Sequence, residues 1–142
     1  MTIKKYLISA CLVGENVRYD GKNCLHVATG QAVMICPEVS GGLNTPRLPA
    51  EIFGGDGEDV LNGRAKVLDT SGNDVSDAFI LGATKALQLA QQHQVTHVIL
   101  KANSPSCGSK LIYDGTFSGQ KILGQGITTA LLNLKNQIGM QM

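Results

Sequence analysis

Three of the four cysteines in the chain close apolar runs that break into small residues. Tyr6-Leu-Ile-Ser-Ala-Cys11 leads into Leu-Val-Gly14, and Ala32-Val-Met-Ile-Cys36 leads into Pro-Glu-Val-Ser-Gly-Gly42. Val98-Ile-Leu100 leads through Lys-Ala-Asn-Ser-Pro-Ser106 to Cys107-Gly108. A buried-strand pattern that gives way to Ser, Pro and Gly is where an α/β protein places its chemistry, because ligands bind beyond the carboxyl ends of the strands. If the three strands are parallel neighbours, three thiols meet at one rim of one sheet. Three thiolates can hold a metal, but these spacings differ from zinc frameworks, whose cysteines pair about two to four residues apart. No Cys-x-x-Cys and no ferredoxin run is present, which argues against a cluster held by four local cysteines. An iron-sulfur cube held at three corners, by contrast, leaves one iron open, and a vacant coordination position is where a catalytic metal acts. Gly14, Gly41, Gly42 and Gly108 would let backbone amides approach such a group. The competing reading is that each is a core cysteine, since free Cys is among the most buried residue types. Cys24 lies in a polar stretch without this setting and reads as a bystander.

Glu38 follows Cys36 by two positions and is either a reacting acid at the same rim or an exposed loop carboxylate. Ser104 and Ser106 flank Pro105; each is either turn chemistry or a hydroxyl able to pass a proton. Lys101 either offsets negative charge at the rim or is a solvated strand end, and Asp20-Gly21 is as easily a turn as a functional acid. His26, His93 and His97 show no ligand spacing. Gly124-Gln-Gly126 lacks the strand and third glycine of a dinucleotide fingerprint, and no Arg follows Cys107 to complete a thiolate phosphatase loop.

The elements that must position these residues describe an α/β chain, a single compact three-layer domain over 1–142 with a small, mostly parallel central sheet flanked by helices. Val75, Phe79, Leu81, Ala83, Ala86, Leu87 and Ala90 recur at helical spacing behind Asp74, predicting a helix from about Val75 to His93 and then a strand His97–Leu100. That helix-then-strand order is the parallel α/β unit. A terminal helix is expected over Ile127–Ile138, with Leu131, Leu132 and Ile138 inward, and an edge strand over Ala65–Leu68. A brief helix fits between Asn23 and Gly30. Pro37 to Pro49 carries too much Pro and Gly for regular structure and reads as an ordered loop, with a loop or hairpin over Leu111–Gly119.

The 142 residues give one core, and a net charge of +1 without charge blocks gives no footprint for a phosphate backbone. No apolar run spans a bilayer and the start lacks a signal-peptide pattern, so a cytoplasmic protein with reduced thiols and no membrane partner is expected. Trp is absent, which further weakens any base-stacking surface for single-stranded nucleic acid.

The stretches Ile8-Ser-Ala-Cys-Leu-Val-Gly14, Arg18-Tyr-Asp-Gly21, Cys36-Pro-Glu-Val-Ser-Gly-Gly-Leu43, Pro46-Arg47, Ser104-Pro-Ser-Cys-Gly108 and Tyr113-Asp-Gly-Thr-Phe-Ser-Gly119 together resemble one family over nearly the whole chain. This is the domain-of-unknown-function family 523, whose characterised members are thiouracil desulfidases. The resemblance implies an oxygen-sensitive 4Fe-4S cluster held by Cys11, Cys36 and Cys107, with the fourth iron taking the sulfur of a thiolated pyrimidine. It further implies a non-redox hydrolysis to uracil in which Glu38 activates water and sulfur leaves as hydrosulfide. Ser104 is the position assigned to proton transfer, with Ser106 as the fallback; Ser106 and Lys101 are also placed in contact with substrate. The connection from Gly21 to Ala32 is shorter than the family leads one to expect, and the additional domain of larger, tRNA-acting relatives does not follow. A small base or nucleoside is therefore expected over RNA, while a tRNA desulfidase, a non-catalytic iron-sulfur or redox-sensing module and a cluster-free thiol enzyme are the alternatives.

Overall fold

A computed structural model describes residues 5–13, 32–135 and 139–141. Gly14, Arg18 to Gly21, Cys24, His26 and the brief helix expected between Asn23 and Gly30 lie outside the described residues. Strands β1 (Tyr6–Ser9), β2 (Ala32–Ile35), β5 (His97–Leu100) and β8 (Gly139–Gln141) form one parallel sheet in the order β2-β1-β5-β8. Register aligns Ser9 with Ile35 and Ile8 with Ile99, so the carboxyl ends of β2, β1 and β5 finish at one edge. The chain adds β2 on one side of β1 and later β5 on the other, which makes that edge a topological switch point.

The remaining elements are a one-turn helix α1 (Pro37–Ser40), a hairpin of β3 (Ala50–Phe53) with β4 (Lys66–Asp69) enclosing α2 (Gly57–Leu61), and the long α3 (Ser76–Gln92). A second hairpin, β6 (Leu111–Tyr113) with β7 (Lys121–Leu123), precedes α4 (Ile127–Leu134). The apolar residues fall into two clusters. Leu7, Ile35, Val98 and Leu100 of the sheet pack with Ala86 and Ala90 of α3 and Leu132 of α4. Ile52, Val67 and Ile112 of the hairpins pack with Phe79 and Ala83 of α3 and Ile127 of α4. Helices α3 and α4 thus bridge the sheet core to the hairpin core.

Several expectations are met by these elements and others are corrected. The helix over Val75–His93 is α3, and Asp74 serves it by accepting the Ser76 amide at 2.9 Å. Leu81, expected on the inner face, is nearly half exposed, because the buried face is the stripe Phe79, Gly82, Ala83, Ala86 and Ala90. Pro37 to Pro49 is not wholly irregular: Pro37 takes the first helical position, where its missing amide costs nothing, and α1 follows. The terminal helix ends at Leu134, short of Ile138, which lies outside the described residues, and β8 adds an edge strand that no strong apolar alternation announced.

The seating of α1 on α3 matters for the rim. Gly41 and Gly82 face each other's elements so closely that a Cβ at Gly82 would overlap the Pro37 carbonyl, and one at Gly41 would overlap the Ala78 carbonyl. Both obstacles are backbone and cannot swing aside. Gly82→Ala is therefore expected to cost about 3 kcal/mol of stability by overpacking, read as a lowered midpoint in chemical denaturation, and to displace the helical turn that carries Glu38.

Candidate functional site

The three cysteines reach the sheet's edge by different local routes. β1 passes into a 3-10 turn, Ala10–Val13, which holds Cys11 buried. Cys36 follows β2 directly and is the N-cap of α1, with extended φ and ψ of −111° and 106°. Cys107 sits in the turn after β5 and is 3% exposed.

That last turn is braced from two sides. Within it, the Cys107 amide donates to Ser104 Oγ at 2.8 Å and the Gly108 amide donates to the Ser104 carbonyl at 2.9 Å. From outside, α4 directs its otherwise unpaired first amides at the turn's carbonyls: Ile127 to Pro105 and Thr128 to Ser106, each at 2.8 Å. Thr129 Oγ1 donates to the Cys107 carbonyl at 2.9 Å. A Cβ on Gly126 would collide with the backbone of Ser106 and Cys107, so Gly124-Gln-Gly126 serves close packing against the cysteine turn.

Cys11, Cys36 and Cys107 line one cavity of about 290 Å³, together with Glu38, Ser104, Ser106 and Lys101. The predicted site residues are thus brought together. Among the described residues no three His, Cys, Asp or Glu side chains close on a single ion. The cavity, far larger than one ion with a water or two needs, is instead near the lower end of ligand-pocket volumes, about 300 Å³. A multi-atom group bordered by soft sulfur donors fits that description better than a lone hard cation.

Glu38 is not an exposed loop acid. Arg47 Nε donates to its Oε1 at 3.1 Å and the Ser106 hydroxyl donates to its Oε2 at 3.0 Å, with both charged side chains largely buried. Arg47 is in turn fixed by the Asn44 carbonyl and Thr45 Oγ1, and its Nη2 lies 4.0 Å from Cys36 Sγ. Ser106 also lies 3.5 Å from Cys107 Sγ and 3.3 Å from Ser104 Oγ. Ser106 is accordingly the hydroxyl in direct contact with Glu38, and Ser104 joins through it. Lys101 donates its ammonium to the Ala102 carbonyl at 3.1 Å, and its amide donates to Ser9 Oγ. Arg47, Glu51, Asn103 and Tyr113 line the cavity without having been singled out as site residues; Pro46-Arg47, Tyr113-Asp-Gly and the stretch from Lys101 to Ser106 contained three of them, and nothing marked Glu51.

Burial pushes the Cys107 thiol up to about 12, against relief from the Ser106 and Ser9 hydroxyls, while the charges of Glu38 and Cys36 push it further up. Burial likewise raises Cys36, opposed by the Val39 amide. Thiols so placed stay protonated alone and become thiolates when an electropositive centre takes them, since metal ligands bind deprotonated.

The 2-thiouracil desulfurase family model matches residues 6–140. The chain belongs to that family. Its members act on carbon–sulfur bonds, and all but the two end residues of the described fold lie within the matched span. YbbK of Bacillus subtilis (strain 168) is 53% identical over 132 residues, covering 89% of this chain and 87% of that one. The structure is similar to the [4Fe-4S]-dependent thiouracil desulfidase TudS, with a TM-score of 0.86 at 41% identity, over 98% of this chain and 91% of that chain. Family membership and this likeness together account for the small parallel sheet with its helices.

Proposed function

We propose that this protein hydrolyses a thiolated pyrimidine, 4-thiouracil or 2-thiouracil, as the base or its nucleoside, to uracil (uridine from the nucleoside) and hydrogen sulfide without net redox change. The observation that carries the reading is the joining of two sets of groups at one cavity: three thiols from three chain segments, and a Glu38 carboxylate bonded to Arg47 and Ser106. Cys11, Cys36 and Cys107 would hold a 4Fe-4S cluster. When bound, it supplies a Lewis-acidic iron with affinity for soft sulfur.

Glu38 accepts a proton from water as the oxygen adds to the carbon bearing sulfur. Arg47 fixes the carboxylate by one oxygen and leaves the other shared with Ser106. The Ser106 and Ser104 hydroxyls, 3.3 Å apart, form a path that returns the proton toward the departing sulfur. The balance is one water consumed, one carbon–sulfur bond exchanged for a carbon–oxygen bond, and sulfur leaving as hydrogen sulfide. A net charge of +1 supports a small substrate over RNA. Reduced thiols support action in the cytoplasm, and α3 and α4, shared by both cores, support one domain across 1–142.

Turnover of 4-thiouracil or 2-thiouracil in ¹⁸O-enriched water, without oxygen and without added reductant, is expected to yield uracil carrying one ¹⁸O. Unlabelled uracil, or a strict need for an electron donor, would contradict hydrolysis.

A further inference from the structure

The polar groups lining the cavity divide into two kinds. Glu38, Arg47, Ser104 and Ser106 are bonded to one another. Glu51 and Asn103 are not so occupied. Glu51 is 8% exposed, and its Oε1 accepts the amides of Gly115 at 2.9 Å and Phe117 at 3.2 Å. Its Oε2 takes no hydrogen bond among the described residues and is not sealed from solvent, which leaves an acceptor on the cavity wall open to a ligand's donor. The Asn103 carboxamide, with donors and an acceptor, likewise has no partner among the described residues. Asn103 adopts φ of +70°, a left-handed conformation that Asn tolerates better than most side chains.

These two residues and Tyr113 form a unit. Asn103 bridges to Ile112, the neighbour of Tyr113, and Glu51 holds the loop that follows Tyr113. Tyr113 is the aromatic residue of the cavity lining among the described residues, and Lys121 Nζ stands 5.7 Å from its ring centroid. An acceptor, a donor–acceptor pair and an aromatic face are the complement of a flat, uncharged heterocycle whose edge alternates ring N–H with carbonyl or thiocarbonyl.

We propose that Glu51, Asn103 and Tyr113 are the substrate-recognition wall, with Glu51 accepting a ring N–H of the pyrimidine, Asn103 bonding its polar edge and Tyr113 stacking on its face. The assignment rests on the desulfidase reading and adds which residues choose the substrate. The wall also selects against a phosphate at this position, since a buried carboxylate repels one.

The test uses the anaerobically reconstituted protein, two thiouracils and two variants. Asn103→Gly removes the side chain while suiting the positive φ, so it isolates the carboxamide. It is expected to raise KM about tenfold, the worth of one or two hydrogen bonds, with kcat within about threefold and cluster absorption unchanged. Glu51→Gln keeps an acceptor for the two loop amides. In the wild type, 1,3-dimethyl-4-thiouracil, which has no ring N–H, should be a far poorer substrate than 4-thiouracil. Glu51→Gln should erase most of that preference, about tenfold or more. Wild-type KM in Asn103→Gly together with an undiminished preference in Glu51→Gln would overturn the assignment. Should the wild type turn over no thiolated pyrimidine, the desulfidase reading falls by itself, and calorimetric titration with uracil decides the wall: affinity at least tenfold weaker in both variants supports it, and equal affinity or no binding by the wild type overturns it.

Discussion

Glu38→Gln is expected to leave a protein with the iron and sulfide content of the wild type and turnover lowered by about 10²–10⁴-fold, the usual worth of a general base. The substitution keeps length and shape, and its carboxamide oxygen can still accept from Arg47 at the position now 3.1 Å away. What it removes is the capacity to take a proton from water. Cys11 and Cys107 sit on other parts of the backbone, in the turn after β1 and in a turn braced by α4, and Cys36, two residues before Glu38, caps α1 through backbone geometry that the side-chain change leaves in place. Cluster content should therefore be insensitive to the change. Iron and sulfide analysis beside sulfide release measures both quantities on one sample. Full activity in a cluster-replete Glu38→Gln protein would remove Glu38 from the reaction, and loss of both cluster and activity would make it a structural residue.

Single replacement of Cys11, Cys36 or Cys107 by Ala is expected to abolish stable cluster loading and, with it, essentially all turnover. Two remaining thiolates hold too few corners, and the Arg47 guanidinium beside Cys36 and the Ser106 hydroxyl beside Cys107 do not replace a soft sulfur donor. Cys24→Ala provides the contrast, since its polar sequence setting marks it as a bystander and its loss should change neither property. The four variants, purified without oxygen and compared for absorption near the charge-transfer bands of an iron-sulfur centre, separate ligand from bystander. A Cys107→Ala protein that retained wild-type iron would refute the ligand set.

Much of the site could be seen in the sequence because parallel sheets translate local pattern into position. Short apolar runs that end in Ser, Pro and Gly give strand ends, and in-register pairing brings those ends to one edge. Cys11, Cys36 and Cys107 required no long-range information beyond that. Glu38 was legible as a neighbour of Cys36, but its partners were not, because Arg47 and Ser106 arrive from a loop and from a turn beyond β5. Glu51 gave no local signal, and Asn103 fell within the stretch leading to Cys107 without being singled out. Glu51 lies on β3, a four-residue strand at the end of a Pro-rich segment, and its role appears only when the loop after β6 folds onto it. Leu81 shows the converse error: helical spacing identifies a stripe, and small residues such as Gly82 decide which edge of that stripe is buried.

The most direct test is to follow uracil and sulfide release from 4-thiouracil and 2-thiouracil in one anaerobic preparation, divided into cluster-loaded and cluster-stripped portions. With about four iron and four sulfide per chain, the loaded portion is predicted to release uracil and sulfide in equal amounts over many turnovers from at least one of the two, and the stripped portion none. Equal activity in both portions, or a loaded portion inert toward both thiouracils, would contradict the account.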